Sequence, residues 1–199
     1  MHKKDAEKIW SEDWTHDIEL IDETIRYLNL EKSSKILDIG TGFGVMAISL
    51  ALAGYDVLTG EPEEKDEWQE HCEEHNWEDY VDWRESARSF GVERNIEFEH
   101  FNAEHLPFPQ ESFDAVFLYD ALQHMVDREK ALQESLRVMK SNGIICVIEV
   151  NEYGSKYYKE HEATFDTEKV DPRNYIIRDD IAVEVVPGDF SDAYILKKI

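Results

Sequence analysis

The stretch Lys35-Ile36-Leu37-Asp38-Ile39-Gly40-Thr41-Gly42-Phe43-Gly44 constrains the chain more than any other. Ile36, Leu37 and Ile39 form the short apolar run that a strand covered on both faces requires. Gly40, Gly42 and Gly44 follow at a spacing of two, which suits a tight turn that a ligand can approach without a Cβ in the way. Val45 to Ala53 then reads as a helix of small and branched apolar residues, with Gly54 placed to end it. Strand, glycine turn and helix in this order predict an α/β fold with a ligand at the strand's carboxyl end.

A glycine-rich turn alone is weak evidence, because nucleotide enzymes and plain turns both use it. Two details sharpen it. The spacing is G-x-G-x-G, not the G-x-G-x-x-G of dinucleotide binding. Asp38 also precedes the first glycine by two positions, where a carboxylate would repel a pyrophosphate but suits a cationic ligand. S-adenosylmethionine, with its ammonium and sulfonium, is such a ligand.

On these residues the chain resembles the class I S-adenosylmethionine-dependent methyltransferases, of the small-molecule, methyltransferase type 11-like kind. Lys35 to Gly44 is similar to the family's first motif. Tyr55 to Pro62 resembles the second strand, ending in the acid that holds the ribose hydroxyls, here Glu61. Asn102-Ala103-Glu104-His105-Leu106-Pro107-Phe108 resembles the adenine-side loop, Phe113 to His124 the fourth motif, and Glu134 to Gly143 the helix and turn before strand five. The blocks occur in the family's order and cover roughly residues 35–149. The resemblance implies a Rossmann-like, seven-stranded, mostly parallel sheet with an antiparallel last strand and helices on both faces. It implies cofactor contacts from Asp38, Gly40, Thr41, Gly42, Gly44, Glu61, Asn102, Ala103, Glu104 and Tyr119, with S-adenosylhomocysteine as product.

The 199 residues fit one domain across 1–199. The formal net charge of −24 argues against a nucleic-acid partner, which needs a basic footprint, and against anionic membrane surfaces. Its ordinary reading is solubility, and a sharper one is steering of a cationic substrate. No apolar run reaches membrane-spanning length and the N-terminus lacks a signal-peptide core, while Cys72 and Cys146 form no disulfide framework, so a cytoplasmic setting is expected. Oligomeric state is not readable.

Residues from about 4 to 29 read as helix capping the fold, with Trp10, Trp14, Ile18, Ile21, Ile25 and Leu28 on one face. Core packing is their expected role, and in the resembled family such helices also cover the cofactor pocket. An inserted helical segment is expected at about 62–82. From Glu61 to Asp79 it carries ten acids and one lysine, interleaved with Trp68, His71, Cys72, His75 and Trp77. His71 and His75 share a helix face and can chelate a metal, but no second ligand cluster accompanies them, so an exposed acidic helix is preferred and no metal is assigned. The tryptophans, with Trp83, either fasten this helix to the core or offer faces to an amine. A second helix is expected from Trp83 to Phe90, closed by Gly91.

Further strands are expected at Ile96–Phe101, with His100 on the side of Ile96 and Phe98, at Phe113–Tyr119, and at Ile144–Val150 after a turn at Ser141-Asn142-Gly143. A closing hairpin is expected at Ala182–Val186 and Ala193–Leu196. Residues 151–180, polar and aromatic, are expected to shape the substrate pocket. Tyr119, Asp120, Gln123 and His124 lie at the carboxyl end of strand four, where ligands of open parallel sheets bind. If a base is needed, His124 is the first choice and Asp120 or Tyr119 the next. The leading expectation is methyl transfer to a small-molecule acceptor through N, O or C, with a cationic or amine-bearing acceptor favoured by the acidity. The competing expectation is a non-catalytic cofactor-binding protein acting as sensor or partner subunit. A nicotinamide dehydrogenase is disfavoured by the glycine spacing.

Overall fold

The computed structural model describes residues 3–10, 15–63, 82–161 and 169–199. Among them, β1 (Ile36–Ile39), β2 (Val57–Glu61), β3 (Ile96–His100), β4 (Phe113–Tyr119), β5 (Met139–Val150), β6 (Ile181–Pro187) and β7 (Ser191–Lys198) form one sheet in the order β3-β2-β1-β4-β5-β7-β6. β1 to β5 run parallel, and β7 is antiparallel to both β5 and β6. The seven-stranded sheet with an antiparallel last strand is therefore as expected. The order reverses direction at β1 and β4, so the carboxyl ends of these two strands flank the crevice where such sheets bind ligands.

The two-residue period of the central strands divides their side chains between two cores. Ile36, Ala115, Phe117, Ile144, Cys146 and Ile148 face one core, shared with α1 (Lys3–Ala6), α2 (Ile18–Leu28), α3 (Val45–Leu52) and α4 (Trp83–Ser89). Leu37, Ile39, Val116, Leu118, Ile145 and Val147 face the other, covered by α5 (Arg128–Val138). Each fully buried side chain of this size contributes about 2 kcal/mol. α3 is buried from Val45 to Ala51 because it is apolar on every side and lies between the sheet and α2. α4 ends as expected, at Gly91 with φ +73. α6 (Glu152–His161) follows β5 directly, started by Asn151 Oδ1, which accepts from the Tyr153 and Gly154 N–H groups at 2.9 and 3.1 Å.

Three expectations need correction. The N-terminal helix is broken: α1 stops at Ala6, Ile9 N and Trp10 N fold back onto the Ala6 carbonyl, and α2 begins at Ile18. The flanking Asp17 makes no side-chain cap, because its carboxylate turns inward to other partners. The Ser141–Gly143 turn is instead part of β5, which starts at Met139; the register jumps from Phe113↔Met139 to Ala115↔Ile144, so these residues bulge from the ladder. Of the segment 151–180 expected to shape the substrate pocket, residues 152–161 form α6. His100, expected to face inward, is exposed because β3 is the edge strand, and it meets the Phe98 ring edge-on at 4.9 Å. Trp14 and the segment 64–81, with Trp68, His71, Cys72, His75 and Trp77, lie outside the described residues.

Candidate active site

β1 delivers the chain into the glycine turn through a backbone bond from Gly40 N to the Gly60 carbonyl, 2.9 Å. Gly40 has φ +89, and a Cβ there would stand 2.8 Å from the Ala121 Cβ. Gly42 has φ +48, and a Cβ there would meet nothing within 4 Å. The first glycine is required by a neighbour as well as by its backbone. The second borders open space that a side chain would fill, as a ligand cradle needs. Gly44 precedes α3 as its N-cap.

Two acids lie around this turn. Asp38 is fully buried; its Oδ2 accepts from Thr59 Oγ1 at 2.8 Å, and Thr59 Oγ1 is 2.9 Å from Thr41 Oγ1. Asp38 Oδ1 has no hydrogen-bond partner. Burial, and then the charge of Glu61, raise the Asp38 pKa to about 7. Glu61 ends β2, half-buried, with Oε2 accepting from the Gly42 N–H at 3.3 Å. Asp38 is thus placed to act on a ligand through space, whereas Glu61 reaches the turn's open side. An orphaned carboxylate oxygen, an open glycine and a carboxylate at the strand end fit a nucleoside bearing positive charge.

The loop after β3 lies beside Glu61, because Phe101 N donates to the Glu61 carbonyl at 3.1 Å. Asn102 is exposed, and its Oδ1 accepts from Glu104 N at 2.7 Å, leaving a second lone pair on that oxygen. Ala103 is buried. The Glu104 carboxylate is turned to α5, accepting from Asp127 N at 2.9 Å. Arg137 pins the following segment, donating to the Leu106 carbonyl at 2.9 Å and the Phe108 carbonyl at 2.7 Å, while Glu134 accepts from Leu106 N at 3.0 Å. Nothing local in the sequence announces this support for the loop.

At the end of β4, Asp120 has φ +49, in the left-handed region that costs a non-glycine residue about 1 kcal/mol. Its N–H donates to the Ile148 carbonyl at 2.9 Å and its carboxylate accepts from Gln123 Nε2. His124 is exposed and closes the short turn Leu122–His124. Arg128 clamps that turn, donating to the Leu122 carbonyl at 3.2 Å and the Gln123 carbonyl at 3.0 Å.

Three residues outside the expected set complete this end. Tyr119 OH donates to Asp17 Oδ2 at 3.3 Å, and Ser191 Oγ donates to the same oxygen at 2.6 Å. Glu149 Oε1 accepts from Leu122 N at 2.7 Å. Burial, opposed in part by the Ser191 hydrogen bond, raises the Asp17 pKa to about 6. Burial also raises Asp120 and raises Glu149 strongly, and the charge of Asp120 adds to the rise at both Asp17 and Glu149. Burial, then the charges of Asp17 and Asp120, keep the Tyr119 hydroxyl protonated, as a donor. Glu149 had a readable signal, being an acid inside an otherwise apolar strand. Asp17 and Ser191 had none, since only the tertiary fold brings them to β4.

Asp38, Gly40, Thr41, Gly42, Gly44 and Glu61 therefore gather at the ends of β1 and β2. Tyr119, Asp120 and His124 gather at β4, joined to the first group through the Gly40–Ala121 contact. Asn102, Ala103 and Glu104 border the β2 side, although the Glu104 carboxylate is committed to α5. Among the described residues, no three His, Cys, Asp or Glu side chains are grouped to hold a metal ion. No described helix is long and apolar enough to cross a membrane.

Residues 37–147 match the model of a family described as a methyltransferase domain. The ubiquinone/menaquinone biosynthesis C-methyltransferase UbiE of Enterobacter sp. (strain 638) is 42% identical over 66 residues, 33% of this chain and 26% of that protein. UbiE of Cronobacter sakazakii is 41% identical over the same share of each. The match thus spans about a quarter of the length of these curated relatives. Among solved structures, a SAM-dependent methyltransferase from Aquifex aeolicus has a TM-score of 0.62 at 17% identity, with all of both chains covered. The PH0226 protein of Pyrococcus horikoshii has a TM-score of 0.68 at 18% identity, covering 96% of this chain and 93% of that one. The [4+2]-cyclase SpnF is similar at 26% identity and a TM-score of 0.52, covering 67% and 44%.

Proposed function

Because the chain belongs to the S-adenosylmethionine-dependent methyltransferase family, we propose that it transfers a methyl group to a small-molecule acceptor by in-line displacement. The observation that carries this reading is the contact between Gly40 and Ala121. It sets the acid-flanked glycine turn directly against the β4 terminus, so donor and acceptor sides share one crevice.

When bound, the cofactor supplies a methyl group on a positively charged sulfur, already activated for displacement. The protein's part is to position and to exclude water. Glu61 accepts hydrogen bonds from the ribose hydroxyls, and the Gly40–Gly44 backbone and Thr41 surround the amino-acid end. Asp38, behind the turn, favours the ligand's positive charge. The loop Asn102–Phe108 borders the adenine, with Asn102 Oδ1 accepting from its amino group. Tyr119 and Asp120 line the crevice at the methyl side. An acceptor that must lose a proton passes it to His124, held at the crevice by the Arg128-clamped turn, or to Asp120. Tyr119 serves as a hydrogen-bond donor. The acceptor side is built from α2, β4, β5 and β7. The UbiE relatives act on carbon, but the matched stretch is too short to carry their acceptor over.

Calorimetry with S-adenosylhomocysteine, followed by an assay of methyl transfer from labelled S-adenosylmethionine to a metabolite panel, tests the reading. Uptake of the nucleoside and transfer to at least one acceptor are expected. Folded protein that takes up no nucleoside would overturn it. Uptake without methyl transfer to any acceptor would favour the sensor role, and the likeness to a cyclase makes label in the product the necessary readout.

A further inference from the structure

Methyl transfer to a small molecule leaves the acceptor's chemical class open. Asp120, after the end of β4, stands within reach of the charge of both Asp17 and Glu149, the latter near the end of β5, while the charges of His124 and Arg128 offset Asp120 and Glu149 respectively. Asp17 is 4% exposed and Glu149 1%. Each has one oxygen held, Asp17 Oδ2 by Ser191 and Tyr119 and Glu149 Oε1 by Leu122 N, and one oxygen, Asp17 Oδ1 and Glu149 Oε2, without a hydrogen-bond partner. Burial holds Glu149 protonated, but Asp17, with a pKa of about 6, is ionised at neutral pH, and leaving its buried Oδ1 unpaired is costly and calls for a donor.

The wall behind Asp17 is aromatic. Phe190, beside Ser191, stacks on His16 at 4.4 Å and meets the rings of Tyr158 and Tyr157 edge-on at 5.2 and 5.5 Å. These rings pack on one another and keep the carboxylate in a dry, low-dielectric setting where a charge–charge contact is strong. An anion would be repelled here. A neutral hydroxyl would donate one hydrogen bond without offsetting the charge. Metal coordination lacks the grouping of ligands among the described residues.

Taking the methyltransferase reading as premise, we propose that this end of the crevice is a subsite for a protonated amine, whose ammonium donates to Asp17 and Asp120 beside the Tyr119 hydroxyl. The cofactor's own ammonium does not account for the cluster. In the sheet order, Glu61 on β2 lies two strands from β4 on one side, and Ser191 on β7 lies two strands from β4 on the other. Apart from Tyr119 on β4, the expected cofactor contacts lie at β1, β2 and the loop after β3, whereas Asp17 is tied to β7 through Ser191. The overall acidity of the chain would draw the same class of molecule toward the site.

The test uses the full chain saturated with S-adenosylhomocysteine, so that the cofactor's ammonium site is filled. It is titrated in the calorimeter with benzylammonium and, separately, with benzyl alcohol, a neutral molecule of nearly the same shape. The ammonium is expected to bind at least about tenfold more tightly, and Asp17→Asn and Asp120→Asn are each expected to shrink that ratio to below about threefold. Near-UV circular dichroism confirms that each variant is folded. Should Asp17→Asn disturb packing around Ser191, Asp120→Asn carries the comparison alone. Equal affinity for the two probes, no binding of either, or a ratio that survives in the folded variants overturns the ammonium subsite while S-adenosylhomocysteine uptake leaves the methyltransferase reading standing. Failure to take up S-adenosylhomocysteine at all overturns both.

Discussion

Gly40 and Ala121 touch so closely that a Cβ on the glycine would lie 2.8 Å from the alanine's Cβ. Gly40→Ala therefore has to displace either the glycine turn or the turn after β4, on top of the strain at φ +89. Destabilisation of about 2–4 kcal/mol is expected by urea unfolding. Gly42→Ala meets no neighbour and should cost only about 1–2 kcal/mol, from its backbone alone. Its Cβ would still project into the cradle, so S-adenosylhomocysteine affinity should fall more than stability does. Calorimetry and unfolding on the pair separate the two effects.

Glu61→Ala should act on binding and hardly on folding. The residue is half-buried and its hydrogen bond to Gly42 N is long at 3.3 Å. Loss of a carboxylate that accepts from vicinal hydroxyls costs about 1.5–3 kcal/mol, or roughly 10- to 150-fold in affinity. The unfolding midpoint should move little. A variant with unchanged nucleoside affinity would remove Glu61 from the cofactor site.

Asp38 makes the cofactor-free protein less stable as pH rises. Its pKa is about 7 when folded against the ordinary 3.8. Between those values the folded state binds the proton that the unfolded chain has released, so stability falls as pH climbs from about 4 to about 7 and then levels. Asp17, raised to about 6, adds to the same trend over a narrower window. Asp38→Asn, still able to accept from Thr59, should flatten part of this slope, read by urea unfolding at pH 5, 6, 7 and 8. Nucleoside binding should be tighter at pH 8 than at pH 6, because positive charge near Asp38 favours its ionised form.

Gly154→Ala should destabilise the acceptor side specifically. A Cβ there would stand 2.4 Å from the Phe190 carbonyl, a backbone atom that cannot rotate away. The expected loss is about 2–3 kcal/mol, with a change in the near-UV signal of the surrounding tyrosines and little effect on nucleoside affinity. Unaltered stability would show that α6 shifts freely.

The strands and the glycine turn were legible because local rules fix them: Ala115–Tyr119 is a continuous apolar run, and Gly40, Gly42 and Gly44 are closely spaced. Local pattern misled where a longer-range partner decides. Ser141-Asn142-Gly143 has turn chemistry, yet Lys140 pairs with Asp114 at 2.8 Å and the segment stays in the sheet as a bulge. The break before α2 was hidden because Asp17 spends its carboxylate on Tyr119 and Ser191 rather than on a cap. Asn151, by contrast, is an ordinary helix start before Glu152, and its cap could have been read from sequence. Half of the candidate site, the β1–β2 half, thus follows from motif. The other half rests on contacts between segments far apart in the chain.

Asp17 and Ser191 are 174 positions apart and share a hydrogen bond of 2.6 Å. A ribosome making this protein finishes the glycine turn early but cannot finish the acceptor wall until the last strand has emerged and docked. The donor side is thus written in a short early stretch of the chain, whereas the acceptor wall waits for β7, which also closes both cores through Ala193, Tyr194 and Leu196.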